Sequence, residues 1–168
     1  MGKPRERQFI VDYIMARFPT RRVIFSCPLG QVPEKLIATF GQAKALKIGR
    51  GIRPEVDALV FDGHTLVLIE AKIKNWLNGI AKLPVYAGMV DDTPELAEYR
   101  GWPRRMILCL PFTSESVASA ARAAGVEVDE FSTPDVASYL TELEKYWTPE
   151  YRSRRAELLR ARELLGLE

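Results

Sequence analysis

Residues 55–74, Glu-Val-Asp-Ala-Leu-Val-Phe-Asp-Gly-His-Thr-Leu-Val-Leu-Ile-Glu-Ala-Lys-Ile-Lys, restrict the possible folds more than any other stretch. Val56, Ala58 and Val60 alternate with Leu59 and Phe61, the period of a β-strand. Residues 66–69 form a continuous apolar run, as expected of a strand buried on both faces. Asp62-Gly63 between the two runs predicts a hairpin turn. Three charged residues, Asp57, Glu70 and Lys72, interrupt this apolar hairpin. Glu70 and Lys72 are two apart, so in a strand they share a face, and Asp57 can approach them from the partner strand. Burying two carboxylates and an amine unpaired would cost several kcal/mol.

A divalent metal is one chemical reason for such a set. Two carboxylates and a backbone carbonyl make a hard oxygen site suited to Mg²⁺, with water and phosphate completing the coordination. Lys72, on the same face, would orient a water or stabilise developing negative charge. The alternative is a strand-end ion pair of Glu70 with Lys72 or Lys74, with Asp57 a solvated strand start.

Asp57, followed thirteen residues later by Glu70-Ala71-Lys72 at the end of an apolar strand, resembles the core of the PD-(D/E)xK nuclease superfamily. That superfamily includes restriction endonucleases, archaeal Holliday-junction resolvases and RecB-type exonucleases. The resemblance covers roughly residues 3–112 and rests on few diagnostic positions; Pro54 does not directly precede Asp57. It implies a restriction-endonuclease-like fold: a mixed central sheet flanked by helices. It also implies that Asp57, Glu70 and the Ala71 carbonyl hold Mg²⁺ or Mn²⁺ while Lys72 assists hydrolysis. In resolvase-like relatives a first-helix glutamate joins the metal; the residue so placed here is Glu6, for which a charge favoured by the helix dipole is the other reading. RecB-like relatives carry Gln-x-x-x-Tyr on the helix after the lysine. Here the spacing is met by Lys82 and Tyr86, with lysine in place of glutamine, and a surface lysine beside a half-buried tyrosine is the alternative.

At 168 residues, with 47% apolar and 27% charged positions, the chain has the makings of a single globular domain. No apolar run reaches the roughly 20 residues of a membrane helix, and the basic start of the chain lacks a signal-peptide core. Cys27 and Cys109, with a single histidine, make no zinc motif and are expected as buried, reduced thiols. A cytoplasmic location is therefore expected. The net charge of +2 hides an asymmetry. Residues 1–53 hold eleven Lys or Arg against three acids, and residues 85–149 hold five against eleven. A basic half beside an acidic half suggests either a polyanion-binding face or a solvated mixed surface. Within the basic half, Lys44, Lys47 and Arg50 lie in a glycine-punctuated segment that reads equally as a loop touching a phosphate backbone or as a solvated connector.

The remaining periodicities predict a helix over 5–18 and a strand over 22–27 closed by Pro28, with an ambiguous segment over 29–53 in which 34–45 has helical character. After the hairpin, residues 75–79 read as a polar turn, 80–90 as a helix that Pro84 would kink, and 91–102 as an acidic connector. A buried strand over 106–110, a helix over 114–124 capped by Ser114, an edge strand over 126–131, and helices over 134–147 and 149–167 complete the chain. The last helix combines five arginines with leucines 158, 159, 164, 165 and 167, and intramolecular packing, self-pairing and DNA contact are all open to it. The expected organisation is an α/β core over 1–131 with a two-helix extension over 132–168 packed on the same domain. The expected function is metal-dependent hydrolysis of phosphodiester bonds in nucleic acid, DNA being the first choice, by a chain that works alone or as a homodimer or larger assembly without a membrane. The alternative is a non-catalytic nucleic-acid-binding or scaffold module on a nuclease-like fold.

Overall fold

The computed structural model describes residues 3–145 and 148–164. The elements run α1 (Lys3–Arg17), β1 (Arg22–Pro28), α2 (Glu34–Phe40), α3 (Gln42–Arg50), β2 (Glu55–Asp62), β3 (Thr65–Ala71), α4 (Trp76–Met89), β4 (Arg104–Leu110), α5 (Glu115–Ala123), β5 (Glu127–Glu130), α6 (Pro134–Lys145) and α7 (Pro149–Leu164). Two short 3-10 segments, Val90–Asp92 and Pro94–Tyr99, join α4 to β4. The chain divides into two compact units, Met1–Ser132 and Thr133–Glu168.

The first unit is built on one five-stranded sheet in the order β1-β2-β3-β4-β5. β1, β2 and β3 pair antiparallel, and β4 and β5 add in parallel to β3. The mixed central sheet with flanking helices agrees with the expectation from sequence, while the ambiguous segment over 29–53 holds two helices, α2 and α3, between the first and second strands. Each parallel pairing needs a crossover, which α4 supplies between β3 and β4 and α5 between β4 and β5. Leu59, Leu66, Leu68 and Leu108 on the sheet pack with Ile80 and Leu83 of α4 and Val117 and Ala121 of α5. Opposite them, α1 lies against β2 and β3 and buries Phe9, Ile10, Tyr13 and Ile14. The rings of Phe9 and Tyr13 meet Phe131 at 5.8 and 5.6 Å. With helices on both faces, β3 is buried from Leu66 to Ala71, which explains its unbroken apolar run.

Several boundaries differ from the sequence reading, each for a tertiary reason. Asp62 pairs with Thr65, so the hairpin loop is Gly63-His64, with Gly63 at φ 60 in the first central position where a type II′ turn favours glycine. The basic segment around Lys44, Lys47 and Arg50 is the helix α3, not a loop. Gly41, at φ 75, separates it from α2. Gly49, which reads as a loop signal, is buried inside α3, where an added Cβ would lie 3.4 Å from Val32 Cγ1. The polar turn expected over 75–79 is the start of α4, and Pro84 lies within that helix on its exposed side. Cys27 and Cys109 are buried and unbridged, and burial pushes the Cys27 thiol up to about 11. Of the helices expected over 134–147 and 149–167, residues 146–147 and 165–167 lie outside the described residues. Among the described residues no helix is long and apolar enough to cross a membrane.

Candidate metal and phosphodiester site

The β2–β3 register brings the three charged residues together. Ala58 pairs with Ile69, so the next step of the ladder sets Asp57 opposite Glu70. Both side chains fall on the face of Leu59 and Leu68, beneath α4. Lys72 follows directly on β3, and its backbone N–H donates to the Cys109 carbonyl of β4 at 3.0 Å, which continues the parallel pairing one residue past the end of β3.

The Lys72 ammonium stands between the two carboxylates. Its Nζ lies 3.1 Å from Asp57 Oδ2, 2.9 Å from Glu70 Oε2 and 3.2 Å from the Ala71 carbonyl oxygen. Asp57 Oδ2 also accepts the Ala71 backbone N–H at 3.0 Å. Glu70 is 1% exposed, and although its Oε2 is at ion-pair distance from Lys72, the angle falls outside hydrogen-bond geometry. That oxygen is a buried acceptor without a hydrogen-bond donor.

Electrostatics follow from this geometry. Burial, reinforced by the facing Asp57, raises the Glu70 carboxyl above its ordinary range and outweighs the attraction of Lys72. Burial acts against the Lys72 charge, but Glu70 and Asp57 together overcome it and hold the ammonium well above the usual lysine range. Lys72 is therefore a cation at neutral pH. Tyr86, on α4, is raised by burial and by the same two carboxylates.

The donor set suits a hard divalent cation. Asp57, Glu70 and the Ala71 carbonyl are all oxygen donors, and the desolvated Glu70 Oε2 has the Lys72 ammonium as its ion-pair partner but no hydrogen bond of good geometry. Mg²⁺ is commonly held by one or two carboxylates with water in its remaining positions. Among the described residues no three or more His, Cys, Asp or Glu side chains cluster for a metal, so Glu6 does not join Asp57 and Glu70 as a third carboxylate. Glu6 instead lines an open cleft of about 690 Å³ together with Lys72, Lys74, Asn75, Asn78 and Lys82. The Lys82 charge is felt at Glu70, while Tyr86, one turn on, is buried in the core.

Lys44, Lys47 and Arg50 are exposed on α3 and do not line this cleft. The wider N-terminal excess of positive charge is partly spent inside the fold. Arg53, 7% exposed, donates to the Gly30 carbonyl at 3.0 Å and pairs with Glu95. Arg17 pairs with Asp129, and Arg21 with Asp62. Glu95 and Asp129 belong to the acidic block, so the two charge blocks neutralise each other at those two pairs, while Asp62 lies between the blocks.

Two positions at the site were not singled out by sequence reasoning. Gly79, in the first turn of α4, packs against the stem of Lys72: a Cβ there would lie 3.4 Å from Lys72 Cγ and collide with Leu108 Cδ1. Ser26 stands on β1 at the register position facing Asp57, between the Phe25–Ala58 and Cys27–Val56 pairs, with φ 49. A left-handed non-glycine residue inside a strand has no sequence signature. The glycine four residues past Asn75 was a visible signal, but one that reads as a turn until the helix is placed.

No protein-family model matches the chain, and no curated protein matches it. Among solved structures it is similar to the crystal structure of a repair endonuclease from Pyrococcus abyssi, with 18% sequence identity and a TM-score of 0.47. The likeness covers 74% of this chain and 46% of that one, so the chain spans less than half the length of that structure.

Proposed function

We propose that the protein is a metal-dependent nuclease of the PD-(D/E)xK type, hydrolysing phosphodiester bonds in nucleic acid, with DNA as the expected substrate. The observation that carries this reading is the convergence of Asp57, Glu70 and the Ala71 carbonyl on one ammonium, that of Lys72, which also lines an open cleft. Asp57, Glu70 and the Ala71 carbonyl would hold Mg²⁺ or Mn²⁺, which when bound acidifies water and neutralises phosphodiester charge. Lys72 keeps its proton on Nζ at neutral pH and so serves as a hydrogen-bond donor and fixed positive charge toward a phosphoryl oxygen, not as a base. Lys74, Lys82, Asn75 and Asn78 give the cleft further cations and amides for the strand on either side of the scissile bond.

A second reading has its own support. Lys72 already neutralises both carboxylates without any metal, as a structural ion-pair cluster in a non-catalytic nucleic-acid-binding module would. Cleavage assays on single-stranded, duplex, flapped and branched DNA, with Mg²⁺ or Mn²⁺ against EDTA, separate the two. The nuclease reading expects cleavage that EDTA stops and that Asp57→Asn abolishes. Metal-independent binding of all four DNAs without cleavage, or wild-type cleavage by Asp57→Asn, overturns it.

A further inference from the structure

α7 carries its charges unevenly. At about 100° per residue, Tyr151, Arg155, Leu158 and Arg162 succeed one another along one side, with Arg154 and Leu159 at its borders. These six residues line an open groove of about 520 Å³. Glu150 and Glu157 are not among the lining residues and lie beyond the Arg154 border, four residues before it and three after. Leu158 and Leu159 are 58% and 52% exposed, and Arg154 and Arg155 are exposed with them. The groove thus combines three guanidinium groups, a phenol and two leucines, with no carboxylate among its described lining residues.

That composition selects among partners. A second copy laid on this side in a two-fold pairing would gather six guanidinium groups at one interface, with no carboxylate among the described lining residues of either copy to pair with them. A lipid surface asks for a broad band of large apolar side chains, where this groove has two leucines and a tyrosine. A polyphosphate backbone fits both parts. Guanidinium groups bond phosphate oxygens in a matching planar fork, and the leucines and the tyrosine ring can rest against sugars or bases.

We propose that this side of α7 binds the phosphate backbone of a nucleic acid, as a contact surface additional to the Lys72 cleft. The surface is sequence-independent and needs no cleavage, so it stands or falls separately from the catalytic reading.

The test uses the full chain carrying Asp57→Asn, which removes cleavage from the readout. Binding to short duplex and single-stranded oligonucleotides is followed by fluorescence anisotropy over a salt series. Arg154→Glu/Arg155→Glu should weaken binding by on the order of tenfold or more and flatten the salt dependence by up to about 0.9 per lost duplex phosphate contact. Circular dichroism checks the fold. The milder Arg155→Gln, which retains a good helix former, should weaken binding, whereas the charge-matched Arg160→Gln on the other side of α7 should leave it nearly unchanged. Wild-type affinity in both Arg155 variants, or equal loss with Arg160→Gln, overturns the proposal. So does a result in which the variants bind DNA normally but lose self-association or binding to anionic vesicles.

Discussion

Asp57 and Lys72 meet across the β2–β3 strand pair at 3.1 Å, and the Asp57 oxygen involved is the same one that accepts the Ala71 backbone N–H. The carboxylate is thereby fixed by two donors from the neighbouring strand, one of them charged. Its other oxygen is not engaged by either contact. A carboxylate held in this way is oriented before any ligand arrives, which reduces the ordering cost of binding one.

Lys72→Ala should separate structure from chemistry. It leaves Glu70 buried opposite Asp57 without its cation, at a cost of about 3 kcal/mol that shrinks in acid as Glu70 takes up a proton. Urea unfolding with circular dichroism measures that cost. In single-turnover cleavage at saturating enzyme, the folded variant should be slower by roughly 10²–10⁴-fold. Lys72→Arg should restore little, because a planar guanidinium does not occupy the place of a compact ammonium. Equal turnover by wild type and Lys72→Ala would sink the catalytic role given to this residue.

Glu70 should impose a pH dependence on the metal-free protein. Its carboxyl is raised in the fold by burial and by Asp57. A raised carboxyl contributes stability that is fully present below its unfolded value, about 4.3, and lost as pH rises through the folded value. Glu70→Gln should therefore be more stable than wild type near pH 7, and this advantage should fade on acidification. Asp57→Asn should bring the Glu70 titration down, by removing the facing charge. Thermal unfolding across pH and carboxyl carbon NMR give the two readouts. A wild-type protein that gains stability steadily from pH 4 to pH 7 relative to Glu70→Gln contradicts the assignment.

Neutralising Lys44, Lys47 and Arg50 together tests α3 as a phosphate-contacting helix. All three are exposed on one helix of nine residues. The triple variant should bind DNA more weakly, by a similar factor for unrelated sequences, and with a salt slope reduced by up to about 0.9 per lost duplex contact. An unchanged affinity and slope assigns these charges to solvation.

Gly79→Ala probes the seat of the lysine. The new methyl group would press on Leu108 Cδ1 and approach Lys72 Cγ at 3.4 Å. Relief requires α4 to move off the sheet, at a cost of about 1–3 kcal/mol, offset in part by alanine's higher helix propensity. Activity should fall by more than the loss of folded protein explains, because the ammonium shifts with its stem. Specific activity corrected for folded fraction is the measurement, and an unaltered value would mean that the glycine serves packing alone.

The hairpin and its three charges were legible because the signal is local: an alternating strand, an apolar strand and a turn glycine fix the register within a short segment, and with it the meeting of Asp57, Glu70 and Lys72. The mixed sheet was expected from the resemblance that those charges carry. What escaped was set by distant partners. Gly49 sits in a helix because Val32 closes over it, and Gly79 in another because Lys72 and Leu108 leave no room for a side chain. Both glycines carry the ordinary sequence mark of a turn. Arg53 counted toward a basic face until Glu95 and the Gly30 carbonyl claimed it. A sum of charges along a sequence does not distinguish a paired guanidinium from one offered to solvent.

The sheet changes from antiparallel to parallel pairing at β3 itself. The two carboxylates are brought opposite each other by the local β2–β3 hairpin, while the main chain of the lysine is pinned by Cys109, across a crossover from the hairpin. Closing the hairpin is a short-range event, and docking β4 is a long-range one. The amide hydrogen of Lys72 is thus a built-in reporter. Its exchange with solvent deuterium records whether the parallel half of the sheet is seated, and slow exchange there, at the same free energy as the β4 amides, marks the moment at which the acidic pair acquires its cation.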